Sequence, residues 1–194
     1  MSDELIRLNL GCGTNPLEGW VNIDRVPGLE IDFTFDLDNC KERPLPYPDN
    51  SVDIILLSHV MEHLNRPLDL MEELYRVAKP EAKLTIRVPH GASDDAFEDP
   101  THVTAFFPGS FGYYSQPYYW RADYNYRGDW LTGCIILHVN KEDIKDLTIP
   151  EIMNKINKER NVVIEMEAEL YPVKPMRQPL KELQLIPQLI ISKR

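Results

Sequence analysis

Leu5-Ile6-Arg7-Leu8-Asn9-Leu10-Gly11-Cys12-Gly13 is the stretch on which the fold turns. An apolar run that halts at two glycines one residue apart reads as a buried strand followed by a tight turn. At such a turn the missing Cβ atoms let the backbone come close to a ligand. Outward from it, Trp20-Val21-Asn22-Ile23-Asp24 reads as a second strand and Asp32-Phe33-Thr34-Phe35-Asp36 as a third. Pro44, Pro46 and Pro48 stiffen a loop that ends in the turn pair Asp49-Asn50. Val52-Asp53-Ile54-Ile55-Leu56-Leu57 is nearly continuous apolar sequence, as in a parallel strand covered on both faces. Leu70, Met71, Leu74, Val77 and Ala78 then share one helical face, with Glu72 and Arg76 as an exposed i,i+4 pair. Pro67 suits the first turn of this helix and Pro80 its stop. Leu84, Ile86 and Val88 alternate with polar neighbours as a fifth strand. This alternation of strands with helices or loops predicts a doubly wound, mostly parallel α/β sheet.

The second half closes that sheet. Leu131 to Val139 reads as a strand and Pro150 to Asn157 as a short helix. Ile164-Glu165-Met166-Glu167-Ala168-Glu169-Leu170 alternates strictly, which predicts an antiparallel strand near one edge. The expected organisation is one domain over 1–170, with an insertion at about 91–130 and a C-terminal extension over 171–194.

In an open α/β sheet, ligands sit beyond the carboxyl ends of the strands. Asp24 ends the strand beside the Gly11 turn, where its carboxylate is placed to accept both hydroxyls of a ribose. The pattern continues Thr14-Asn15-Pro16, without the third glycine of the dinucleotide fingerprint, which argues against NAD. The link from Gly13 to Asp24 leaves room for only a turn or two of helix.

Three stretches, Leu8 to Gly13, Gly19 to Asp24 and Leu45 to Asp53, resemble the class I (Rossmann-like) S-adenosylmethionine (SAM)-dependent methyltransferases. His59-Val60-Met61-Glu62-His63-Leu64, followed by Leu74 to Pro80, is similar to the segment after their fourth strand. The likeness covers residues 5–90 and implies a seven-stranded sheet ordered 3-2-1-4-5-7-6. It implies SAM as cofactor, with its methionine part against Gly11, Cys12 and Gly13, its ribose on Asp24 and its adenine beside Asp36 and Leu37. Ser58 and His59 fall next to the cofactor.

His59-Val60-Met61-Glu62-His63 also reads as H-x-x-E-H, a zinc-hydrolase signature. It sits at a strand end with no third ligand in view, so no metal site is expected. His59 and His102 are the candidate catalytic residues, imidazole being the side chain that titrates near the required pH. His90 ends the fifth strand on the ligand side, and His138 reads as structural. Phe106 to Trp130 holds eleven of the eighteen aromatic residues, either a packed subdomain or a lid over the acceptor. Asp94, Asp95, Glu98 and Asp99 form an acidic run that suits a cationic acceptor or a solvated turn.

A formal charge of −10 without a basic cluster argues against binding bulk nucleic acid. No apolar run is long enough to span a membrane, and the start Met1-Ser2-Asp3-Glu4 is not that of a secretory signal, so the cytoplasm is the expected location. Cys12, Cys40 and Cys134 form no pair, as in reduced thiols. The expected function is methyl transfer from SAM to a small-molecule or modified-polymer acceptor. A non-catalytic SAM-binding interaction protein is the alternative, and a zinc hydrolase using His59, Glu62 and His63 the weaker one.

Overall fold

A computed structural model describes residues 5–194, so the acidic start at 1–4 lies outside the described residues. One sheet organises the chain. Its strands are β1 (Arg7–Leu10), β2 (Val21–Asp24), β3 (Phe33–Thr34), β4 (Val52–Ser58), β5 (Ala78–Pro89), β6 (Trp130–Val139), β7 (Val163–Pro172) and β8 (Gln188–Lys193). They lie in the order 3-2-1-4-5-7-6-8. Every pairing is parallel except those of β7, which runs antiparallel to both β5 and β6. The expected order and the antiparallel strand are both present. The strand count is eight rather than seven, because the stretch read as an extension returns to the sheet and pairs Leu189 with Ile135 and Ile191 with Leu137.

Three α-helices are present among the described residues: α1 (Pro67–Val77), α2 (Asp95–Glu98) and α3 (Ile149–Lys158). Pro67 opens α1, where its missing N–H costs nothing. Leu70, Met71, Leu74 and Val77 are fully buried against the sheet, each worth about 1.5–3 kcal/mol of transfer free energy. The expected Glu72–Arg76 pair does not form. Arg76 turns to the buried Glu73 at 2.7 Å and to Asp49 at 2.7 Å, because Glu73 also receives the Leu45 N–H and needs a cation beside it. Glu72 accepts from the Arg127 backbone N–H instead, at 2.5 Å. The helix ends at Val77, and β5 starts at once, ahead of Pro80. The three cysteines are free thiols.

The β1–β2 crossover contains no helix. Two buried asparagines organise it. Asn9 Nδ2 donates to Asn22 Oδ1 at 2.9 Å and to the Asn15 carbonyl at 3.1 Å. Asn22 Oδ1 also takes the Leu17 N–H at 2.8 Å, and its amide returns a bond to the Leu17 carbonyl at 3.1 Å. The third strand is shorter than expected for a related reason: its flanking carboxylates have other partners. Asp32 Oδ2 accepts the Asn22 N–H, and Asp36 caps the following 3-10 turn.

The aromatic segment packs largely on itself and on the sheet. Phe106, Phe111, Tyr114, Tyr119, Tyr126 and Trp130 are buried. The indole N–H of Trp130 donates to the Met71 carbonyl at 3.1 Å, and Tyr126 OH donates to the Tyr114 carbonyl at 3.1 Å. Arg177 reaches in from the region after β7 to the fully buried Asp129 at 2.7 Å and joins that region to the aromatic segment. No described helix is long and apolar enough to cross a membrane.

Candidate cofactor cleft

The carboxyl ends of β1, β2 and β4 open onto one cleft of ≈ 340 Å³. Gly11 and Gly13, at φ +66° and +52°, turn the chain away from β1 in the left-handed region that glycine adopts without penalty. The N–H groups of Gly11 and Cys12 both bond to the Ile23 carbonyl, at 2.8 and 3.2 Å, which holds the turn against β2. The Gly13 N–H donates to Asp24 Oδ2 at 2.8 Å, and the Val26 N–H donates to Asp24 Oδ1 at 2.9 Å. The Asp24 carboxylate is therefore oriented by backbone on both oxygens and keeps lone pairs for a ligand in the cleft.

His59 follows β4 in a left-handed conformation at φ +55°, uncommon for a residue with a Cβ. Its Nε2 lies 3.0 Å from Glu165 Oε1 and its Nδ1 lies 3.3 Å from Glu62 Oε1. The hydrogen bond to Glu165, with help from Glu62, pushes the imidazole pKa up to about 9. At neutral pH His59 is therefore an imidazolium that donates hydrogen bonds rather than a base.

Of the residues expected at the cofactor, the cleft is lined by Gly11, Gly13, Asp24, Leu37 and His59. Cys12, Asp36 and Ser58 are not among its lining residues. Cys12 is buried beneath the turn, Asp36 accepts from Asp38 N–H and Asn39 Nδ2, and Ser58 pairs with Arg87 of β5. His102 stands one layer back, its ring 4.6 Å from that of His63. His90 is buried elsewhere, where its Nδ1 accepts the Ala92 N–H, and His138 is buried in β6.

Arg25, Val26, Phe35, Val60, His63 and Thr101 complete the cleft; of these, His63 stands out in the sequence, as part of the H-x-x-E-H stretch, but not as a cofactor neighbour. Phe35 adjoins the flagged Asp36 and could have been found by its position. Thr101 arrives from a loop far along the chain and carries no local signal. The acidic run is partly spoken for as well: Asp94 pairs with Arg160 at 2.6 Å, and Asp99 accepts from Thr101.

SAM fits these residues. The cleft volume lies in the range of small-molecule sites, Phe35 and Leu37 give a flat apolar wall, and a Cβ placed on Gly13 would meet nothing within 4 Å. Residues 8–86 match the family model of a methyltransferase domain. No curated protein matches the chain. Among solved structures it is similar to a SAM-dependent methyltransferase from Archaeoglobus fulgidus, at 17% identity and a TM-score of 0.60, with 87% of each chain covered. It is also similar to a SAM-dependent methyltransferase from Aquifex aeolicus, at 16% identity and a TM-score of 0.50, covering 87% of this chain and 82% of that one. A third likeness is to CrArsM, an arsenic(III) S-adenosylmethionine methyltransferase from Chlamydomonas reinhardtii. There the identity is 11% and the TM-score 0.51, with 91% of this chain and 66% of that one covered. Residues 8–86 thus match a methyltransferase domain, and the chain shares the fold of these SAM-dependent methyltransferases. S-adenosylmethionine is the cofactor that this domain and fold imply, and the matched segment, residues 8–86, carries the turn and the carboxylate of the cleft.

Proposed function

We propose that the protein methylates a small molecule, with Asp24 binding the cofactor ribose and the acceptor entering past His63 and Thr101. The cleft between the Gly11–Gly13 turn and the oriented Asp24 carboxylate carries this reading. When bound, SAM supplies an activated methyl carbon. The chain's own residues then have separate tasks. Asp24 accepts from the ribose hydroxyls, and Phe35 and Leu37 flank the base. The turn at Gly11 leaves room for the methionine part, and His59, its ring nitrogens engaged by Glu165 and Glu62, shapes the cleft wall. Alignment of acceptor and methyl carbon is the main contribution such a site makes to a direct displacement. The absence of a basic cluster supports a small acceptor over a long polyanion.

Calorimetry with SAM and S-adenosylhomocysteine tests the cofactor assignment. Both ligands are expected to bind one site, and Asp24→Ala to weaken both by the roughly 1.5–3 kcal/mol of a hydrogen bond to a charged group. Unchanged affinity in a folded Asp24→Ala protein would remove the ribose assignment. For the acceptor, radiolabel from methyl-labelled SAM in a cell extract is expected in the low-mass fraction. Label confined to protein or RNA would overturn the small-molecule reading.

A further inference from the structure

Behind the cleft wall, Glu62, His63 and His102 offer one ligand atom each, all within 4.8 Å of one another. We propose that these three residues bind a divalent transition cation. The expectation that no metal is held rested on the absence of a third ligand beside the H-x-x-E-H stretch. Folding supplies one from forty residues downstream.

The states of the three side chains support this assignment. Glu62 is 1% exposed, and neither of its carboxylate oxygens makes a hydrogen bond. A buried carboxylate without donors is costly, and one imidazole nitrogen at 3.3 Å satisfies it only in part. His102 has a side chain 9% exposed, and its buried Nδ1 likewise has no partner. The tautomer of His63 follows from its neighbour. Thr101 Oγ1 donates its single proton to Asp99 Oδ1 at 2.6 Å, since a carboxylate only accepts. The 2.9 Å contact between Thr101 Oγ1 and His63 Nδ1 must then be donated by His63, which leaves Nε2 with the free lone pair. A carboxylate that fixes a histidine tautomer through a hydroxyl is the outer-shell arrangement found at metal sites. The backbone is pinned as well: the Glu62 carbonyl accepts the Val103 and Thr104 N–H groups at 2.8 and 3.2 Å, tying the loop that brings His102 to the 3-10 turn that carries Glu62 and His63.

The ligand set names the ion class. Two imidazoles and one carboxylate suit cobalt, iron or zinc rather than magnesium, which demands oxygen ligands. It also differs from the zinc-hydrolase signature. His59 precedes the 3-10 turn at the strand end and is engaged with Glu165, so it does not stand one helical turn from His63; Glu62 is a ligand here and not a base.

The test is a titration of tag-free, chelator-treated protein with Co²⁺, followed by visible absorption and elemental analysis. One cobalt per chain is expected, displaced by Zn²⁺ and not by Mg²⁺. His102→Gln and Glu62→Gln should abolish stoichiometric binding, and Thr101→Val should weaken it about ten- to a hundredfold. Circular dichroism and SAM calorimetry on the same samples separate loss of the metal site from loss of fold or of the cofactor site. Sub-stoichiometric cobalt in the folded wild-type protein would overturn the proposal, and so would equal binding by the folded variants. A metal-free protein that still binds SAM leaves the methyltransferase reading intact.

Discussion

The two glycines of the cofactor turn have different physical reasons to be glycine. At Gly11 a Cβ would lie 2.4 Å from Val60 Cγ2, and the φ of +66° is unfavourable for any residue with a Cβ. At Gly13 only the backbone angle objects, and a side chain would project into open space. Gly11→Ala should therefore cost about 1–2 kcal/mol from the backbone and a further 1–3 kcal/mol, roughly, from overpacking. Chemical denaturation measures the total. Adding Val60→Ala should recover the overpacking share only, because the two positions are in contact and their effects couple. Full additivity of the two substitutions would show that the chain relaxes around the new methyl group. Gly13→Ala, in contrast, should leave stability within the smaller backbone cost.

At the scale of elements, the first crossover departs most from a doubly wound fold, since side chains replace the helix that would ordinarily cover it. Asn22 links β2 to Leu17 and to Asn9 on β1, so it fixes the path of residues 13–20 and with it the height of Gly13 over Asp24. Asn22→Ala leaves the buried Asn9 amide and the Leu17 N–H without a shared acceptor, at about 1–3 kcal/mol for each buried group left unpaired. Stability and SAM affinity should fall together, measured by thermal unfolding and calorimetry. A loss of stability with unchanged affinity would mean that the turn holds its shape without the network. This element also shows what could be read in advance. β1 and β4 announce themselves as short apolar runs, and α1 by the periodic apolar face it buries. β3 was overread because Asp32 and Asp36 flank two strand residues while their carboxylates serve other segments. β8 escaped because its burial is partial and its partner β6 lies fifty residues away.

For the whole molecule, the cofactor cleft was legible where the glycines and Asp24 sit next to their own strands. The remainder comes from distant segments that no local pattern joins. Thr101 and His102 reach His63 across a long loop, and Glu165 of β7 reaches His59 from more than a hundred residues away. Glu165 joins three parts of the chain: His59 after β4, His138 of β6 at 3.8 Å, and Arg194 at 2.8 Å. Its carboxyl is held down to about 2 from an ordinary 4.5, first by the hydrogen bond to His59 and then by Arg194, against the opposing effect of burial. A depressed carboxyl pKa contributes stability that is complete above the unfolded value and is lost as pH falls through the folded one. The window is therefore about pH 4.5 down to 2. His59 is protonated in both folded and unfolded chains across that window, so the slope belongs to Glu165. The unfolding free energies of wild type and Glu165→Gln should accordingly differ most near pH 5 and converge toward pH 2.5. Arg194→Ala should narrow the gap at every pH in between. A gap that stays constant across the window would show that Glu165 contributes through packing alone, and that charge does not tie the C-terminal strand to the cleft.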